Sequence, residues 1–257
     1  MYYKWYGTAT LLIESENTRL LFDPYRKQFA RKDRMPDDEI CSADAIFITH
    51  PHVDHFKDTD SFSHGKIPVF VSETGISHAE KYGLDHSCMR RISAGDCVTV
   101  GDLTVRAYPA EHCRFDAASV LRILFSPRTW LHFSNCVNLL SDARRYKIKY
   151  NDVLAFEVSD SVKNILVFGS AGMNEKALYP DKVDLMFFPY QGRRRIDKVL
   201  AKFLQIVTPK KIVIDHFDDA FPPITHNVNT KRFVPTVKKY APSAETVVPE
   251  LYTWYEV

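Results

Sequence analysis

The sequence predicts an α/β protein in which two mixed β-sheets pack together with helices outside, and three patterns predict it. Short apolar runs come first as hairpins, with turn-forming residues between them. Later apolar runs alternate with helical stretches, the order expected when helices cover a sheet. The composition, 45% hydrophobic and 26% charged over 257 residues, is that of an ordinary globular chain long enough to bury a substantial core.

Residues 9–14 and 19–22 are apolar runs joined by the polar Ser15-Glu16-Asn17-Thr18, the pattern of a β-hairpin. The second run stops at Asp23-Pro24, where proline ends the ladder. Residues 26–44 are polar and loop-like. Residues 45–48 form a short buried strand and 67–72 another, and 73–82 have helical composition with Gly83 as the stop. Residues 98–100 and 103–108 frame Gly101-Asp102, a hairpin signal. A further hairpin runs from 153–158 to 164–169, and 184–188 is a buried strand. From 194 to 207 the apolar residues fall at 196, 199, 200, 203, 204 and 207, the stripe of a helix packed on a sheet, with Pro209 expected to end it. Residues 211–215 are a strand ending at His216. With no repeat, low-complexity stretch or linker, one domain over 1–257 is expected.

Residues 113–150 differ in character. Seven Lys/Arg against two acids give the segment a net charge of +5, while the whole chain is +2, so the remainder is −3. Its pattern is helical, and it reads as an insertion between strands. Two roles stay open: an amphipathic cover with a solvated basic face, or a lid that helps select an anionic substrate.

The bulk properties narrow the setting. A charge of +2 does not by itself suggest a nucleic-acid or membrane partner. The five cysteines are scattered, odd in number and without a C-x-x-C pair, which argues against a disulfide framework and a cysteine zinc site and fits a reducing compartment. No basic stretch followed by an apolar run marks a signal peptide at the N-terminus. The most apolar long stretch, 120–140, is interrupted by Arg122, Arg128 and His132 and is a poor membrane span. A cytoplasmic protein is the expectation, with the oligomeric state open and a homo-oligomer allowed.

The chemistry is concentrated in Thr49-His50-Pro51-His52-Val53-Asp54-His55, which follows a strand. In an extended segment, side chains at i and i+2 share a side, so His50 and His52 can converge on one ion. Asp54 and His55 are adjacent and would diverge, which suits a second ion about 3.5–4 Å beyond the first. His112 and His216, each at a strand end, are the candidates to complete the two sets. His64, His78, His86, His132 and His226 read as structural or merely exposed.

The pattern His50-x-His52-x-Asp54-His55 after a strand, with Asp23 ending an earlier strand, resembles the metallo-β-lactamase superfamily. His112 and His216 follow in the order of the family's later histidines. The opening, Gly7-Thr8-Ala9-Thr10-Leu11-Leu12-Ile13-Glu14 through Leu21-Phe22-Asp23-Pro24, is most similar to the branch of ascorbate-6-phosphate lactonase-like hydrolases. The resemblance implies a four-layer αββα sandwich with the site at the edge between the sheets. It implies that His50, His52 and His112 hold one divalent metal and that Asp54, His55 and His216 hold another, most commonly Zn²⁺, with Mn²⁺ or Fe²⁺ as alternatives. Asp23 would orient a ligand histidine; its other reading is a strand-ending turn.

One departure matters. Where the family usually carries a bridging aspartate, this chain has Ser170, within Gly169-Ser170-Ala171-Gly172. A neutral hydroxyl ligates weakly, so the second metal should be held less tightly and the site should be more positive, favouring an anionic substrate. The activity implied is metal-dependent hydrolysis of a small ester, lactone or phosphoester, with Asp54 orienting the attacking water. Tyr190, Arg193 and Arg194, opening a helix, are candidate substrate contacts whose other reading is a solvated basic turn. Asp218 and Asp219, just past His216, are candidate partners supporting the site, and their other reading is an exposed turn. A nucleic-acid phosphodiesterase is the second reading, weakened because no room exists for an added nucleic-acid module. A metal-binding protein without turnover is the third, suggested by Ser170.

Overall fold

Among the described residues, fourteen strands form two seven-stranded sheets. The computed structural model describes residues 1–28, 35–114, 116, 121, 123, 125–149 and 152–257. In chain order the strands are β1 (Tyr2–Gly7), β2 (Thr10–Glu14), β3 (Arg19–Phe22), β4 (Ala45–Phe47), β5 (Val69–Val71), β6 (Met89–Arg91) and β7 (Cys97–Val100). They continue with β8 (Leu103–Ala110), β9 (Val153–Ser159), β10 (Asn164–Phe168), β11 (Lys182–Pro189), β12 (Thr208–Asp215), β13 (Glu245–Val247) and β14 (Trp254–Glu256). The first sheet has the order β14-β1-β2-β3-β4-β5-β6 and the second β13-β12-β11-β10-β9-β8-β7.

Each sheet is half antiparallel and half parallel. β14, β1, β2 and β3 pair antiparallel, and β3 to β6 pair parallel. β7 to β10 pair antiparallel, and β10 to β13 parallel. The predicted hairpins at β2–β3, β7–β8 and β9–β10 all form. Gly101 makes the second turn at φ 55, where an added Cβ would overlap Thr18.

Strand residues alternate between two cores. Ile165 and Val167 of β10 face Leu11, Ile13 and Phe47 of the other sheet, while Leu166 and Phe168 face the outer helices. Phe156 meets Phe22 and Phe47 across the interface at centroid distances of 6.0 and 5.5 Å. Completely burying one such side chain contributes about 1.5–3 kcal/mol. The outer layers are helices Ile196–Phe203 and Phe233–Tyr240 on the second sheet, with helix Glu73–Tyr82 and shorter helical turns on the first. This is the α/β sandwich the sequence predicts.

Several expectations shift in detail. Helix Glu73–Tyr82 ends as expected at Gly83, φ 71. The stripe at 194–207 is helical only over Ile196–Phe203, because Leu204 to Val207 close as turns into β12. Pro209 lies inside β12, paired with Val183, rather than ending the helix. β1 was not anticipated: its residues after Tyr2 are all buried, so it has no alternation to read. Part of 113–150 falls outside the described residues; the rest contains helices Pro127–Leu131 and Phe133–Arg145. Asp142 docks the longer helix through Lys57 Nζ at 2.8 Å and Gln28 Nε2 at 2.9 Å.

Candidate metal centre

The carboxyl ends of the parallel strands open on one edge, where such sheets place ligands. Asp23 follows β3, the histidine loop follows β4, and His216 follows β12; His112 comes from the end of the antiparallel β8. The ligand-capable atoms of His50, His52 and His112 lie within 4.8 Å of one another, and so do those of Asp54, His55 and His216. The groups adjoin, with the His50 and His55 rings 4.0 Å apart.

The structure corrects one step in how they converge. Residues Val53–Phe56 are a helical turn rather than extended chain. Neighbours on a helix are rotated by about 100° rather than opposed, so Asp54 and His55 can serve the same group. His55 Nε2 and His216 Nε2 stand 3.9 and 3.3 Å from Asp54 Oδ2.

Asp23 anchors the loop. Its Oδ1 accepts the Thr49 amide at 2.7 Å, and its Oδ2 accepts the Thr49 hydroxyl at 2.6 Å and His55 Nδ1 at 2.8 Å. Since Thr49 Oγ1 gives its proton to Asp23, His50 Nδ1 at 3.0 Å donates to it. His112 Nδ1 donates to the Cys113 carbonyl at 2.8 Å. Fixing Nδ1–H in this way turns Nε2 toward an ion, and the buried His50 Nε2 has no hydrogen-bond partner. An orphaned buried imidazole nitrogen within such a donor set fits a divalent metal.

Close backbone approach locks the edge. An added Cβ at Gly169 would overlap Thr49, and one at Gly172 would overlap the Glu111 carbonyl. Thr8, Asp23 and His216 adopt φ of 48, 44 and 53, a conformation that costs non-glycine residues energy and is held only by surrounding structure. His216 N donates to Thr8 O at 2.8 Å, and Asp218 accepts the Thr8 amide at 2.9 and 3.0 Å while pairing with Lys27 at 2.7 Å. Asp218 therefore supports the backbone beneath His216.

The electrostatics separate the groups. Burial, then the imidazoles of His55 and its neighbours, hold His50 well below the usual histidine range. Burial and His112 push His52 down to about 3, and burial lowers His112. For His55, burial is outweighed by Asp23 and Asp54, and the net shift is upward. Burial would raise Asp54, but His55, His216 and His52 hold its carboxyl below the usual range.

Other predicted positions resolve differently. Ser170 Oγ accepts the Cys113 amide at 2.9 Å, tying β10 to the His112 loop. Tyr190, expected to contact substrate, is instead a core residue at 1% exposure, its ring packed on Phe188 and Phe233. Arg193 Nε donates to the Arg114 carbonyl at 2.7 Å; Arg194 is exposed and uses its backbone amide to bond Asp116 at 2.8 Å. Two residues went unread in the sequence. Thr49 relays Asp23 to His50, and Gln191 Nε2 lies 2.9 Å from His216 Nε2. Neither residue type signals a metal site by itself.

Histidines gathered between two mixed sheets in this way define the metallo-β-lactamase class of fold. The chain belongs to the β-lactamase superfamily domain family, whose model matches residues 18–195. It is 33% identical over 109 residues to a UPF0173 protein of Pyrococcus abyssi, covering 42% of this chain and 48% of that protein. The chain thus spans about half the length of that relative. It is 22% identical over 225 residues to a UPF0173 metal-dependent hydrolase of Thermococcus kodakarensis, 87% of each. In fold it is similar to Igni18, a metallo hydrolase from Ignicoccus hospitalis, at a TM-score of 0.64 over 100% of this chain and 98% of that one, with 14% identity. Among the described residues, no helix is long and apolar enough to cross a membrane.

Proposed function

We propose that the protein is a metal-dependent hydrolase of a small anionic ester, lactone or phosphoester. His50, His52 and His112 hold one divalent ion, and Asp54, His55 and His216 hold a second, with zinc the best match to five imidazoles and one carboxylate. The observation that carries this reading is the pair of adjoining ligand groups, with Nδ1 of His50, His55 and His112 already engaged by the protein. Ions bound there would supply a water acidified toward neutrality and polarise the scissile group.

The chain's own residues supply the rest. Asp54, 3.3 Å from His216 Nε2, is held ionised among imidazoles and can orient the attacking water by accepting its hydrogen bond. Asp23 fixes the loop through three hydrogen bonds, so the ligands need little reorganisation. Ser170 adds no charge, which leaves the pair of sites more positive than a bridging carboxylate would and favours an anion.

Metal analysis by mass spectrometry, paired with a panel of esters, lactones and phosphodiesters, tests this. Bound metal with turnover on one class supports the proposal; full metal loading with no turnover on any class overturns it in favour of a non-catalytic binder. Asp54→Ala should lower turnover about 10²–10⁴-fold, and near-normal turnover at full metal occupancy would remove Asp54 from this role.

A further inference from the structure

The outward face formed by the described residues between 121 and 140 plays no part in this chemistry, yet it gathers many exposed apolar side chains. Of the seventeen large hydrophobic side chains found exposed among the described residues, eight lie between Leu121 and Leu140. Phe125 is 78% exposed, Trp130 68% and Leu131 78%. Helix Phe133–Arg145 explains how this arises. Cys136 is buried and Leu139 packs inward on the first sheet's outer core, with Asp142 turned toward Lys57. Phe133, Val137 and Leu140, at i, i+4 and i+7, form a second stripe on the solvent side. Trp130 stacks parallel to Phe133 with centroids 6.4 Å apart, joining the preceding helical turn to that stripe. The helix therefore carries two apolar faces, and the fold covers only one. An exposed patch of this kind marks an interaction surface.

Charge selects the occupant. Arg144 lies beside Val137 and Leu140, and Arg128, Lys147 and Lys149 are exposed in the flanking stretches, whereas Arg145 packs on Tyr82 and donates to its carbonyl. The nearby acid Asp142 is already paired with Lys57. Two copies meeting through this face would bring like-charged rims together. An anionic lipid surface satisfies both features, since apolar and aromatic side chains enter the headgroup boundary while Arg and Lys meet the headgroups. We propose that this face seats the protein on a bilayer bearing anionic headgroups, as an interfacial contact rather than a span. The helix that docks there is tied to the histidine loop's own helical turn through Asp142–Lys57 at 2.8 Å, so the contact would hold the metal centre near the bilayer surface.

The test is sedimentation of the full chain with vesicles of phosphatidylcholine alone and with added phosphatidylglycerol, together with Trp130 fluorescence. Binding should be at least about tenfold stronger with the anionic lipid, since each Lys or Arg at such a surface adds about fivefold, and should weaken in salt. Trp130 emission should shift to the blue, and the shift should vanish in Trp130→Phe. Leu131→Glu/Leu140→Glu should abolish binding while metal content and thermal unfolding stay unchanged. A variant that loses its fold is replaced by Arg144→Glu/Lys147→Glu, at two exposed positions, which should cut binding at least tenfold. Absence of vesicle binding, equal binding by the variants, or a dimer that Leu140→Glu dissociates without any lipid binding would each overturn the proposal.

Discussion

His50, His52 and His112 are surrounded mainly by other imidazoles, whereas Asp54, His55 and His216 lie among carboxylates and an amide. In the first group burial and mutual repulsion strip the rings of protons, leaving neutral imidazoles with lone pairs available. In the second group Asp23 and Asp54 favour a proton on His55, and the Gln191 amide lies 2.9 Å from His216 Nε2. An ion entering the second group must displace both. Two triads built partly from one loop thus differ in readiness because their neighbours differ, and the first should load more tightly.

Removing the shared anchor is the harshest way to break this contrast. Asp23→Ala leaves the Thr49 amide, the Thr49 hydroxyl and His55 Nδ1 buried without their acceptor. At about 1–3 kcal/mol for each orphaned group, with incomplete additivity, the metal-free protein should lose about 3–5 kcal/mol in denaturant unfolding. Metal content should fall in both groups; loss confined to the second would show that Thr49 holds His50 without Asp23.

Acid should act through the same contrast. His50, His52 and His112 have lowered pKa values in the folded state, so their contribution is lost as pH falls below the unfolded value of about 6.5. His55 is raised, so its contribution is present below that value and lost as pH rises through its folded pKa. His78, lowered by burial, acts with these three, while the buried carboxyl of Asp215, held high, acts with His55. Four depressed imidazoles against two raised groups set the balance, and metal-free protein should melt at a lower temperature at pH 5.5 than at pH 7.5. His55→Gln should steepen the decline and His52→Ala should flatten it. A thermal midpoint that rises toward acid would contradict the assigned environments.

The mildest change sharpens the second group. Gln191→Ala removes one hydrogen bond, worth about 1 kcal/mol, from His216 Nε2. Metal titration by calorimetry should show the weaker step tightening about fivefold and the stronger step unchanged. Weakening instead would make Gln191 a ligand.

The hairpins at β2–β3, β7–β8 and β9–β10 and helix Glu73–Tyr82 were legible because each rests on local alternation, turn residues or a glycine stop. β1 was not, since a strand buried on both faces loses its period. The loop from His50 to His55 announced itself through the density of residue types that bind metals. Gln191 and Thr49 gave no such signal, because amides and hydroxyls serve every kind of hydrogen bond. Tyr190 and Arg193 shared a promising stretch, yet burial placed one in the core and hydrogen bonding tied the other to the Arg114 backbone.

By itself, then, the sequence determined the inventory of metal-capable side chains, the local hairpins and the two-sheet class, because composition and periodicity are local properties of the chain. Only the tertiary structure decided how each group is brought together. That depended on a helical turn at Val53–Phe56 and on strand ends brought together from positions as far apart as 23 and 216. It also decided that one apolar face of helix Phe133–Arg145 is covered and the other is not, since a helical stripe records that a face is apolar and not what lies against it.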